Sequence, residues 1–198
     1  MMPEKCRVAG FLVKILTVRL ISPGKVRQAP RGTLTLESCI FSDNQASSSN
    51  GGAISISGVS GIDNVTIRGC TFYNNSSAGQ AGAIRVSTVT VNLTGNLFFG
   101  NTAASYPVIH KASGTVTSQG YNVSDKAAGT GNAATGFASV TGDVFSVTSI
   151  TFDGDSKPSG ASADIKTLTG GSLPSGFPTT YFDGTSRSLP ATAGAMKE

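Results

Sequence analysis

Acidic side chains are scarce in this chain. Its 198 residues hold eleven Asp and Glu, and charged residues reach only 13%, where about 25% is ordinary. Between residues 34 and 112 the acids are Glu37, Asp43 and Asp63. They fall at three different positions of the repeat that fills this region, so the repeat does not gather them. Glycoside hydrolysis needs two carboxyl groups about 5–10 Å apart across the scissile bond, so a hydrolytic site of that type is not expected. Cysteine is scarce too. Cys6, Cys39 and Cys70 show no CxxC or Cys/His spacing, which argues against a zinc site. Histidine occurs once, as His110. The pair Asp153 and Asp155 in DGD offers hard oxygen ligands for calcium. The other ligands of such a site are missing, and a turn is the better reading. No cofactor or metal is expected.

Long apolar runs are also lacking. Residues 8–21, VAGFLVKILTVRLI, are interrupted by Lys14 and Arg19, so the uninterrupted stretch is residues 8–13. A membrane span needs about 20 apolar residues with few or no charges. A secretory signal needs a basic start, about 7–15 uninterrupted apolar residues and a small-residue cleavage site. Residues 1–31 therefore stand as a cap covering the start of the main domain, a mis-started leader on a fragment, or a poor signal segment. The same residues carry most of the charge imbalance. Seven Lys and Arg face Glu4 alone, giving +6, and the remaining chain is at −2. The overall +4 is no evidence of nucleic-acid binding by the main domain.

What the chain has in excess is glycine, 25 residues, together with a periodic apolar fraction of 38%. The period is a repeat. Residues 65–84, VTIRGCTFYNNSSAGQAGAI, have a close copy at 34–54, LTLESCIFSDNQASSSNGGAI, and a looser one at 91–109, VNLTGNLFFGNTAASYPVI. Phe41, Phe72 and Phe98 match, at spacings of 31 and 26 residues. Asn44, Asn75 and Asn101 match, as do Ile54, Ile84 and Ile109. Cys39, Cys70 and Asn96 occupy one further position. A degraded fourth copy is expected to place Val116 at the position of Ile67 and Tyr121 at that of Phe72. Self-similarity at this period marks a solenoid or array.

Apolar residues alternate at period two around residues 65–67 and 84–86, and nothing between them has helical spacing. Each copy is expected to hold about three short strands, with a polar loop after the Asn. Such a unit cannot bury its apolar face alone, but stacked on its neighbours it can. The fold expected is all-β: a right-handed parallel β-helix of about four coils with a β-rich C-terminal cap. Residues 1–31 form an unmatched leader or cap, 32–125 the β-helix, and 126–198 a closing segment. The inward core should comprise Leu34, Leu36, Phe41, Ile54, Ile56, Val65, Ile67, Phe72, Ile84, Val86, Val91, Leu93, Phe98 and Ile109. Residues 144–152, VFSVTSITF, alternate and predict a strand. Cys39 and Cys70 should stack on adjacent coils about 4.8 Å apart, as a buried thiol ladder or a disulfide.

The pairing of Phe-x-x-Asn (Phe41–Asn44, Phe72–Asn75, Phe98–Asn101) with Gly-Gly-Ala-Ile (51–54, and the related 81–84) resembles the repeats of the polymorphic outer-membrane protein family of bacterial surface adhesins. More broadly it resembles the right-handed parallel β-helix of the pectate-lyase-like superfamily. Asp183-Gly184-Thr185-Ser186-Arg187, followed by residues 194–198, is similar to the ending of secreted bacterial β-helix proteins. Tyr106-Pro107-Val108 departs from the Gly-Gly-Ala pattern. The resemblance implies a non-enzymatic, extracellular or outer-membrane-surface protein of adhesin type, a fragment or module of a longer one, meeting a host-cell or matrix surface. The other readings are a β-helix that binds or degrades polysaccharide, and a structural spacer.

The candidate ligand-binding residues are Ser55, Arg85 and His110, aligned outward on one strand position. The stripe can contact a sugar or a partner, or simply be solvated. Asn44, Asn75 and Asn101 can form an exposed contact row, or hydrogen-bond backbone at turns.

Overall fold

The computed structural model describes residues 25–28, 32–47, 50–56, 62–148, 150–154, 157–160, 165, 167–168 and 172–197. What was expected of residues 1–24 and of Asp155 lies outside the described residues. An opening strand β1 (Lys25–Gln28) precedes a stack of coils. The first coil contains β2 (Gly32–Glu37), β3 (Ile40–Ser42) and β4 (Gln45–Ala46). The second contains β5 (Ile54–Ile56), β6 (Ile62–Arg68), β7 (Thr71–Tyr73) and β8 (Ser76–Gln80). The third contains β9 (Ile84–Val86), β10 (Thr90–Thr94), β11 (Leu97–Phe99) and β12 (Thr102–Ser105). The fourth contains β13 (Ile109–Lys111), β14 (Thr115–Ser118) and β15 (Val123–Ser124). A hairpin of β16 (Ile150–Phe152) and β17 (Pro158–Gly160) comes next.

Equivalent strands pair in parallel from coil to coil and build four sheets, ordered β2-β6-β10-β14, β3-β7-β11-β15, β4-β8-β12 and β5-β9-β13. This is a parallel β-helix. At its first edge β1 adds to β2 antiparallel, which supplies partners to backbone groups that a bare sheet edge leaves open.

The repeat works through register. Leu34, Val65, Val91 and Val116 align, as do Phe41 with Phe72 and Phe98, and Ile54 with Ile84 and Ile109. All fourteen residues expected inward are buried in one cluster. The Phe rings stack face to face at centroid distances of 4.8 and 5.0 Å, the spacing of neighbouring strands. Left-handed residues set the corners. Ser38, Gly69 and Gly95 have φ of 50°, 57° and 58° between the first and second sheets, and Asp43, Asn74 and Gly100 have 56°, 53° and 67° between the second and third. Asn, Asp and Gly are the residues that tolerate this region best. Coils also approach closely. A Cβ on Gly82 would lie 2.2 Å from the Pro107 carbonyl oxygen, so only glycine fits there.

Three features differ from the sequence expectation. Each of the two full coils has four strands, because the segment expected as a polar loop carries β8 or β12. Backbone pairing between coils holds these strands with only small side chains such as Ser77 and Ala103. Second, the fourth copy is displaced from its expected alignment. Val116 aligns with Val65, Ser118 with Leu93, and Ser124 with Phe98. Its corner is one residue longer, with Tyr121 at φ 64°, so Tyr121 misses the inward row. Phe137 closes the Phe stack instead, its ring 6.1 Å from Phe98 and tilted 56°. Third, among the described residues of 144–152 only 150–152 form a strand. Ser146 has φ 60°, which breaks the extended run, and Val144 makes an isolated bridge to Val123.

The C-terminal segment closes the solenoid in two ways. Residues 127–147 cover the last coil, with Phe137 and Val147 buried and the Thr135 carbonyl accepting from the Ile109 N–H. The described residues of 165–197 run along a flank, over the outward row Ile40, Thr71, Leu97 and Val123, each fully buried. The Ala195 N–H donates to Thr71 Oγ1 at 2.9 Å and the Gly194 N–H to the Gly95 carbonyl at 2.8 Å.

Candidate ligand-binding face

The alternation that points Ile54, Ile56, Ile84 and Val86 inward must point the residues between them outward. Ser55, Arg85 and His110 are therefore neighbours across β5, β9 and β13, in direct register. All three are half-buried. The His110 ring stacks on Tyr106, centroids 4.3 Å apart and planes within 25°. Burial first, and then the Arg85 charge, hold the His110 imidazole below its ordinary pKa, which favours the neutral ring at pH 7. Arg85 Nε and His110 Nδ1 are buried and have no hydrogen-bond partner. Among the described residues no carboxylate pairs with Arg85.

Tyr106 was not among the residues singled out for binding, although the sequence carried its signal. It stands where the two preceding copies have Gly51 and Ala81, and it keeps their left-handed backbone, with φ 56° against 79° and 65°. Beside it, on the other side of the corner, a cleft of about 400 Å³ is lined by Ala103, Ser105, Pro107, Lys126 and Asn132 among others. The Tyr106 N–H is anchored by the Asn132 carbonyl at 2.8 Å and by Asn132 Oδ1 at 3.0 Å.

The other repeat residues form the interior. Asn44, Asn75 and Asn101 are buried, so they make a ladder and not an exposed row. Asn44 Nδ2 donates to Asn75 Oδ1 at 2.8 Å, and Asn75 Nδ2 to Asn101 Oδ1 at 2.9 Å. Each Oδ1 also accepts the backbone N–H of the Asn one coil earlier. Asn75 and Asn101 further bind the carbonyls of Phe41 and Phe72. A second ladder runs Cys39, Cys70, Asn96, Asn122. The Cys39 N–H donates to Cys70 Sγ, the Cys70 N–H to Asn96 Oδ1 and the Asn96 N–H to Asn122 Oδ1. Cys39 and Cys70 are free, buried thiols. The neighbouring Cys70 sulfur, with burial, pushes the Cys39 thiol well above the ordinary range, so it is inert. Asn122 was missed because the longer fourth corner shifts it by one residue. Asp143 finishes this ladder by accepting from the Asn122 N–H, the Ser118 hydroxyl and the Val140 N–H.

The carboxylates are occupied in similar ways. Glu37 pairs with Arg68 at 3.1 Å, Asp43 accepts from Asn74 Nδ2, and Asp125 pairs with Lys126 and accepts from the Gly100 N–H. Asp153 Oδ1 accepts the Lys157 N–H across the β16–β17 turn, in keeping with the turn reading, and Asp183 Oδ1 accepts the Thr185 N–H. Among the described residues no group of three or more His, Cys, Asp or Glu is placed to hold a metal, and no helix is long and apolar enough to cross a membrane.

The class of protein follows from the strands: a short parallel β-helix with a strapped flank and one face bearing Arg85, Tyr106 and His110. Comparison with protein-family models, with curated proteins and with solved structures finds no match to the chain.

Proposed function

We propose that the chain is a non-enzymatic binding module of a cell-surface or extracellular protein, of the adhesin type. The observation that carries this is a division of labour among side chains. The described carboxylates other than Asp63 are engaged in ion pairs, corners and turns. Arg85 and the Tyr106–His110 pair project from the outer face without such an engagement to a carboxylate. A rigid scaffold with polar and aromatic side chains on one outer face is built to hold a ligand, whereas acid–base cleavage of a sugar chain needs two free carboxyl groups. The likeness of the Phe-x-x-Asn and Gly-Gly-Ala-Ile repeats to those of polymorphic outer-membrane proteins supports the same reading, as does the glycine-rich, charge-poor composition. Host-cell or matrix glycans and proteins are the partners in view. Binding to an array of glycans and matrix proteins tests it, with uronate polymers incubated in parallel. Saturable binding without unsaturated products or new reducing ends is expected. Turnover lost in Arg85→Ala would replace this reading with that of a polysaccharide-degrading β-helix.

A further inference from the structure

The three copies share one corner between the third and fourth sheets, and the first two fill it with small residues. These are Gly51 and Gly52 in the first copy, and Ala81 and Gly82 in the second. The third copy places a tyrosine and a proline there while keeping the left-handed backbone at Tyr106. A bulky residue at positive φ is strained. Local departures from a fold's own rule are where function is most often found. The substitution gains little for the core, because Tyr106 is half-exposed. Its ring lies instead on His110, beside Arg85.

We infer that Tyr106, His110 and Arg85 form a binding site for an acidic sugar chain, one carrying carboxylate or sulfate groups. The Tyr106–His110 stack is an aromatic plate on which the apolar face of a pyranose ring can lie. The Arg85 guanidinium, free of any carboxylate among the described residues, presents planar paired donors that match carboxylate or sulfate oxygens. The orphaned Arg85 Nε and His110 Nδ1 are donors or acceptors awaiting a partner, and buried polar atoms are rarely left so. Ser55 extends the polar stripe at one end. Around the corner, the cleft lined by Ser105 and Pro107 has a small-residue floor, and its cation, Lys126, is already paired with Asp125, so Arg85 carries the charge of the site. An acidic peptide would use Arg85 but has no use for the plate.

This inference rests on the binding-module reading and narrows it to one site. The test is affinity chromatography of the full chain on a sulfated glycosaminoglycan, polygalacturonate, neutral dextran and polyglutamate, with titration on whichever matrix retains it. Retention is expected on one or both acidic sugars, weakening with salt, and not on dextran or polyglutamate. The retaining matrix identifies sulfate or carboxylate. Arg85→Gln and Tyr106→Gly should each weaken binding about tenfold or more, the scale of one charge-assisted hydrogen bond or one stacked ring. Tyr106→Gly restores the residue of the first copy, so its melting temperature should stay level or rise, and lost binding cannot be put down to misfolding. Unchanged retention of both variants would overturn the site. So would equal retention on polyglutamate, or no retention on either acidic sugar. Array binding to some other ligand would then leave the binding-module reading standing.

Discussion

Arg187 is the residue that ties the flank. It is 6% exposed, and its guanidinium donates to the carbonyls of Thr192 at 2.9 Å, Gly194 at 2.7 Å, Thr180 at 3.2 Å and Gly69 at 3.4 Å. It lies 4.0 Å over the Tyr181 ring and 5.1 Å over that of Phe177. Burial lowers its pKa to about 10, yet the carbonyls and rings hold the cation at neutral pH. Arg187→Met should destabilise by about 3 kcal/mol, because the side chain leaves and several carbonyls lose their donor. Urea unfolding would measure this, and Arg187→Lys should recover only part of it, since one ammonium cannot fork to four acceptors. His110 makes the opposite kind of contribution. The groups facing it are Arg85 from β9 and Tyr106 from the corner, and its pKa is lowered in the folded state. The unfolded chain therefore binds the proton more readily once pH falls below about 6.5, and stability must decline from there downward. The decline ends below the folded-state pKa. His110→Gln should flatten that part of the stability–pH curve, and an unchanged slope would show that another group is responsible.

At the scale of the element, each coil depends on identical side chains meeting their copies. Asn75 sits mid-ladder, bonded to Asn44, Asn101 and the Phe41 carbonyl. Asn75→Ala should cost about 2–4 kcal/mol, since several buried polar groups lose partners at once. Phe72 lies between Phe41 and Phe98, and Phe72→Ala should cost about 3–5 kcal/mol. Denaturant titration of both variants checks this. A loss below about 1 kcal/mol in Phe72→Ala would mean the stack relaxes into the gap. The elements were legible in the sequence to the extent that their side chains are periodic. β5, β6, β9 and β10 announce themselves by alternation, whereas β4, β8 and β12 are held by backbone pairing to the coils on either side, and no composition signals that.

For the whole molecule, the flank segment is a second layer on the solenoid. It buries Ile40, Leu97 and Val123, whose side chains point out of the second sheet. The β16–β17 hairpin brings Phe152 within 4.0 Å of Tyr73 and 5.5 Å of Phe99, ring centre to ring centre. A chain ending at residue 148 would leave this face open, at about 25 cal/mol per Å² of apolar surface. It should bind a hydrophobic dye and aggregate at temperatures where the full chain does not. A truncated chain as soluble and as stable as the full one would show the strap to be incidental.

The sequence by itself determined the solenoid, its inward core and the outward register of Ser55, Arg85 and His110, because a stacked repeat converts matching residues into neighbours by arithmetic alone. Tertiary structure decided what that arithmetic cannot reach. One extra residue in the fourth corner moved Asn122 onto the cysteine–asparagine ladder and left Phe137, far along the chain, to close the Phe stack. The position of Tyr106 against His110 depends on a left-handed corner, and the wrapping of the C-terminal strap over the second sheet depends on non-repetitive contacts. Contacts between a repeat and a segment outside it have no period to read, so only the folded chain fixes them.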